Sequence, residues 1–160
     1  MSENVFLVPI DSENFDRTVR SPVDLTEYPD RPAALADHEE ARLWAVGDDI
    51  GTGSTFEKMR EGDLALFYTD GEYVATGRIG TTFEDDDRWA SGSFWTAFPA
   101  TRVYTVTDFN GVSAPKRAVN RIFDYASSYT PGFMRVADGR VDVDLSSIES
   151  ALDHYTKRRA

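Results

Sequence analysis

The order of elements legible in the 160-residue chain predicts an α+β fold: a curved, barrel-like sheet of mixed, largely antiparallel strands flanked by short helices. Three observations carry that expectation. Runs rich in β-branched and aromatic residues alternate with helical stretches at irregular intervals, without the steady strand–helix–strand rhythm of a parallel sheet. No segment repeats. A chain of this length can build one hydrophobic core, so a single domain over residues 1–160 is expected.

"NVFLVPI" (4–10) is a β-branched and aromatic run stopped by proline, and predicts the first strand. "DSENFDRTV" (11–19) offers Asp11 or Ser12 as N-cap with acids in the first turn, the start signal of a short helix. "RSPVDLTEYPDRPAALADHEEA" (20–41) holds three prolines and many acids and reads as a surface excursion with a helical piece near "AALADHEEA". "RLWAV" (42–46) is a second strand, followed by the loop "GDDIGTG" (47–53). Ser54 and Glu57 stand in capping-box spacing, which predicts a short helix over "TFEKMR" (55–60) closed by Gly62.

"DLALFYT" (63–69) and "EYVATGRIGTTF" (72–83) are strands joined by an Asp-Gly hairpin turn. Gly77 and Gly80 in the second of them signal a bulge or a close backbone approach. "EDDDRWASGS" (84–93) reads as an acidic loop, and "FWTAFPATRVYTVTDF" (94–109) as a long strand in which Pro99 requires an edge or a bulge. "SAPKRAVNRIFDYA" (113–126) has helical periodicity behind Pro115. "FMRV" and "RVDVD" around "ADG" suggest a small hairpin. "LSSIESALDHYTKRR" (145–159) places Leu145, Ile148, Leu152 and Tyr155 on one stripe of a terminal helix.

Composition bounds the function. Hydrophobic residues make up 41%, enough for a globular core. The absence of cysteine excludes disulfides, thiol catalysis and thiolate metal sites. No apolar run is long enough to span a bilayer, and the N-terminus has no basic-then-apolar pattern, so a cytoplasmic protein with no membrane partner is expected. Lys and Arg total 17 against 28 Asp and Glu, a net charge of −11, and the lysines are Lys58, Lys116 and Lys157 alone. High Asp, scarce Lys and no Cys resemble proteins of salt-accumulating halophilic archaea, where carboxylates stay hydrated and self-repulsion is screened within about 3 Å at 1 M salt. In that setting net charge reports the solvent and does not exclude a polyanionic ligand.

Enzyme chemistry finds little footing. His38 and His154 are isolated, with no metal-ligand spacing. No nucleophile elbow or Walker loop occurs, and "GDDIGTG" lacks the Lys-Ser/Thr that completes a phosphate loop. "EDDD" (84–87) is expected to be solvated surface and not a cation site. A non-enzyme without metal or cofactor is expected.

The aromatic residues say more. Trp44 closes a strand before a glycine loop, Trp89 stands among charges, and Trp95 follows it closely, none in a plainly alternating core pattern. "LWAVGDD…FEKMREGDLALFYTDGEYVATGRIG" resembles the EVE domain of the PUA-like superfamily. Its hallmarks are a strand-terminal Trp, a K-M-x-x-G-D turn and a strand ending in Phe-Tyr, here Trp44, Lys58 to Asp63, and Phe67-Tyr68. "FLVPIDSENFDRTV" is similar to the opening of YTH domains, relatives that read N6-methyladenine. The resemblance covers about residues 4–110.

The resemblance implies a PUA-like fold and a nucleic-acid reader in which a modified, methylated base of RNA or DNA is flipped into an aromatic cage. Stacking is worth about 1–3 kcal/mol per base, and a buried methyl adds about 0.8 kcal/mol. By matching positions Trp44, Trp89 and Trp95 are the cage walls, Phe94 being an alternative to Trp95, and Tyr68 closes the floor or donates its hydroxyl. Polar contacts to the base come from Asp11, Ser12 and Asn14. Phosphate contacts fall to arginines around the mouth: Arg78, Arg88, Arg117, Arg121 and Arg135. A separate nuclease or modification enzyme is the expected protein partner. Two other readings stay open: a small-molecule or nucleotide binder using the same pocket, and an accessory RNA-binding domain of an RNA-modification system.

Overall fold

The computed structural model describes residues 4–47 and 52–159. Seven strands are hydrogen-bonded in the order β2-β3-β6-β5-β4-β1-β7. They are β1 (Val5–Pro9), β2 (Val23–Asp24), β3 (Glu40–Val46), β4 (Leu64–Thr69), β5 (Glu72–Glu84), β6 (Arg102–Pro115) and β7 (Met134–Arg135). Short helices α1 (Ser12–Phe15), α2 (Thr52–Phe56), α3 (Trp89–Phe94) and α4 (Lys116–Ile122) interrupt them, and α5 (Leu145–Arg159) ends the chain. The backbone divides into two compact units, one of Met1–Ile10, Gly62–Arg78 and Asp108–Ala160, the other of Asp11–Glu61 and Ile79–Thr107.

In the first unit β1 runs parallel to β4, from Val5 opposite Leu64 to Pro9 opposite Tyr68. This makes the sheet mixed. β4 turns back into β5 through Asp70 and Gly71, both at positive φ (53° and 79°), the two left-handed residues of a type I′ hairpin. Alternate residues of these strands meet α4 and α5 in one apolar cluster. Val5, Leu7, Leu64, Leu66 and Tyr73 lie there with Val119, Phe123, Ile148 and Leu152. The terminal stripe therefore buries as its period requires. Asn4 and Asp63 are joined at 3.1 Å between side chains, which ties the start of β1 to the turn before β4.

In the second unit β3 pairs antiparallel with β6, Trp44 opposite Tyr104 and Val46 opposite Arg102. A Cβ at Gly80 would fall 2.3 Å from Thr105 Oγ1. That oxygen accepts the Thr81 N–H at 2.8 Å, so glycine is required for the close approach. The Pro-rich excursion is organised by one side chain. Arg31 donates to the carbonyls of Leu25, Tyr28, Leu35 and Ala36 at 2.9–3.1 Å, folding two 3₁₀ turns (Leu25–Glu27 and Ala33–Leu35) around its guanidinium.

Several elements differ from the sequence expectation. Residues 89–94 are helical, although "EDDDRWASGS" reads as loop, and β6 begins at Arg102, eight residues later than expected. The reason is that Asp85, 3% exposed, accepts from the backbone N–H of Trp89 and Ala90 at 3.1 and 2.9 Å and nucleates the turn. Asp85 is thereby a buried cap; Asp86 and Asp87 are exposed as expected. The hairpin expected near residue 138 is absent among the described residues: Asp138–Arg140 is a 3₁₀ turn, and Met134–Arg135 pairs with β1. α2 starts at Thr52, so Ser54 is inside the helix and not at its cap. Positions 48–51 of the expected loop lie outside the described residues.

Two tyrosines set an alkaline limit. Tyr73 and Tyr104 are fully buried, and their hydroxyls have no hydrogen-bond partner among the described residues. Burial raises both phenols well above their ordinary value. The folded chain thus keeps two protons that the unfolded chain releases above about pH 10. Stability is full below that pH and falls above it, by up to about 1.4 kcal/mol per pH unit for each phenol. Urea titrations between pH 9 and 11.5 are expected to show this fall, and Tyr73→Phe with Tyr104→Phe to remove most of it.

Candidate functional site

All three tryptophans lie in the second unit, where three short elements position them. α1 is capped by Asp11, which accepts the Glu13 N–H at 3.1 Å, and continues as a π-helical turn, Asp16–Arg20. This delivers Phe15 and Thr18 inward, both fully buried. β3 delivers Trp44. α3 and the segment 95–101 deliver Trp89, Phe94, Trp95 and Phe98.

Trp44 is 2% exposed and meets three rings: Phe15 edge-on at 5.4 Å, Trp95 edge-on at 5.7 Å and Phe98 at 5.0 Å, tilted by 31°. Trp95 and Phe98 lie 5.3 Å apart at 56°. The Trp95 indole N–H donates to Thr18 Oγ1 at 3.0 Å, and that hydroxyl donates to the Leu43 carbonyl at 2.6 Å. The indole orientation is therefore set from both its face and its polar edge. On the outer side of Trp95 and Phe98 lies a cavity of about 310 Å³, lined also by Arg88, Ser91, Gly92, Ala97 and Pro99. This is at the small end of the range for ligand pockets.

Trp89 is in a different group. Its ring meets Tyr28 at 5.9 Å and Phe94 at 5.3 Å, both edge-on, and Tyr28 meets Phe94 at 5.1 Å. Its indole nitrogen is buried and has no hydrogen-bond partner among the described residues. The structure thus brings Trp44 and Trp95 together and sets Trp89 and Phe94 apart from them. Tyr68 belongs to the first unit, where its ring lies 5.2 Å from Tyr73. Trp89 stands in the first turn of a helix and not in a loop, and Trp95 closes that helix and does not open a strand.

The polar residues expected to read a base divide likewise. Asn14, 1% exposed, donates to the Thr96 carbonyl and accepts the Thr96 N–H, both at 2.9 Å. It also donates to Asp11. Arg17 adds bonds to Thr96 Oγ1 at 2.9 Å and the Phe94 carbonyl at 3.3 Å. Asp11, Asn14 and Arg17 therefore clamp the segment that carries Trp95 and Phe98, while Ser12 is exposed.

Among the arginines, Arg78 is engaged with Glu149 at 2.6 Å and the Gly62 carbonyl at 2.9 Å. The Glu149 hydrogen bond holds its pKa above the ordinary value. Arg135 is paired with Asp138 at 2.7 Å. Arg88 lies on the cavity rim. Arg117 and Arg121 are exposed on α4 in the first unit. Sequence reasoning missed Phe98, Thr18 and Arg17. The aromatic density of "FWTAF" (94–98) was the available signal for Phe98; the other two act through partners more than 70 residues away in sequence and left none.

No group of three His, Asp or Glu able to hold a metal exists among the described residues. No described helix is long and apolar enough to cross a membrane. No protein-family model matches the chain, and no curated protein is similar to it in sequence. Among solved structures, the chain is similar to the N-terminal domain of Thermococcus gammatolerans McrB bound to m5C DNA. The TM-score is 0.69 at 18% identity, covering 94% of this chain and 98% of that one. The likeness is one of fold, and with the mixed seven-stranded sheet it gives the chain an α+β architecture shared with that domain.

Proposed function

We propose that the chain is a non-enzymatic module that binds nucleic acid carrying a modified base, DNA with a methylated base foremost, and holds the base against Trp95 and Phe98. The observation that carries this reading is the hollow beside those two rings, backed by Trp44 and clamped from α1. A fold shared with a domain described as bound to m5C DNA supports it. An extruded base stacks on any aromatic face, and the walls here are braced before the ligand arrives, so little ordering cost falls on binding. Arg88 at the rim supplies positive charge toward a base edge or phosphate. In this reading Trp44 acts behind the ligand, and any chemistry on the nucleic acid belongs to a separate nuclease or modification enzyme.

The test is tryptophan fluorescence in molar KCl with a duplex carrying one central 5-methylcytosine, its unmodified twin, the matching RNA and the free nucleoside. Burial of one methyl, about 0.8 kcal/mol, alone gives the methylated duplex about a 4-fold advantage. Equal affinity for the methylated and plain strands would sink the reading. A nucleoside that binds as tightly as the duplex would establish a small-molecule binder instead.

A further inference from the structure

The chain is acidic nearly throughout, yet residues 109–137 hold four bases, Lys116, Arg117, Arg121 and Arg135, and a single acid, Asp124. The fold shows which of these cations are committed. Lys116 donates to Thr130 Oγ1 at 2.8 Å, and Arg135 pairs with Asp138. Nearby Arg140 donates to the carbonyls of Phe123 and Asp124 and lies over the Tyr125 ring at 4.4 Å. Elsewhere Arg17, Arg20 and Arg78 each have a carboxylate partner, and Arg31 is consumed by backbone carbonyls.

Arg117 and Arg121 are different. They are exposed, one turn apart on α4, and their side chains make no hydrogen bond or ion pair among the described residues. Like charges at this spacing cost a helix a few tenths of a kcal/mol. In a chain with acids to spare, a surface selected only for stability or solubility would interpose one. Beside the pair is a hollow of about 220 Å³, lined also by Asp124, Tyr125 and Ser127. Tyr125 is fixed there by stacking on Tyr129 at 4.6 Å and by the Arg140 guanidinium above it.

We infer that this face of α4 is a phosphodiester-binding surface, Arg117 and Arg121 each engaging a backbone phosphate of a nucleic acid. Guanidinium forks suit phosphate oxygens, and such contacts add affinity without reading sequence. The inference rests on the nucleic-acid reading above and adds to it the residues that hold the backbone.

The experiment measures duplex binding against KCl concentration for the full chain and for Arg117→Gln/Arg121→Gln. Each lost phosphate contact lowers the slope of log K against log salt by about 0.9. The double variant is expected to lose nearly two units of slope and to weaken methylated and plain duplexes by the same factor. Its melting temperature should not fall, and Arg117→Lys/Arg121→Lys should restore the slope. Inorganic phosphate at matched ionic strength should not displace the duplex. An unchanged slope and affinity in the Gln variant, displacement by inorganic phosphate, or a wild-type chain that binds no nucleic acid each overturns the inference. If slopes differ as expected while methylated and plain duplexes bind equally, base reading fails and the backbone surface stands.

Discussion

Trp44→Ala is expected to cost about 3–5 kcal/mol of folding free energy. The indole is 2% exposed, sits mid-strand opposite Tyr104, and touches Phe15, Trp95 and Phe98. Its removal leaves a void among three rings whose partners are fixed by other bonds. Asn14 holds Thr96, and Thr18 holds Trp95, so collapse into the gap is restricted. Urea denaturation in molar KCl checks the magnitude; a loss below about 1 kcal/mol would mean that the site repacks freely. The resemblance to EVE and YTH domains implies that this residue is a cage wall facing the ligand. Its burial transfers that role to stability and to the bracing of Trp95.

Trp95→Ala is expected to weaken a methylated duplex by about 5- to 150-fold, the loss of one stacking face at 1–3 kcal/mol. Because Trp95 is itself 7% exposed, the variant will also be less stable, and binding must be measured where it is still folded. Phe98→Ala, at a half-buried position on the same hollow, separates the two effects. It thins the wall and leaves the Trp95–Thr18 bond in place. If Phe98→Ala and Trp95→Ala both leave affinity for the duplex intact, the base is not bound beside these rings.

The strands were legible where physics is local. Runs rich in apolar, β-branched and aromatic residues mark β1, β3, β4 and β5, and the Asp-Gly turn with two positive φ angles fixes the β4–β5 register. The stripe of α5 is likewise a property of its own sequence. What escaped depends on partners distant in sequence or on unusual backbone. α3 contains two serines and a glycine and has no apolar period; it forms because a buried carboxylate four residues upstream caps it. The run "FWTAFPA" has strand composition, but Ala97 at φ 55° bends it out of the sheet. At the candidate site, Trp44 and Trp95 were recognisable as unusual residues. Their mutual packing, the separate grouping of Trp89 and the clamp through Asn14 arise from tertiary contacts that no spacing encodes.

The guanidinium at position 31 has a consequence for how its segment can vary. It works beside the buried Leu25 and Leu35: within residues 25–36 one side chain reaches four carbonyl oxygens. Lysine, with a single nitrogen on a flexible stem, cannot span four acceptors so spaced. Exposed neighbouring side chains such as Glu27 and Asp30 are therefore free to drift in evolution with little effect on the path of the backbone. A change at Arg31 alone would unpin four carbonyls at once.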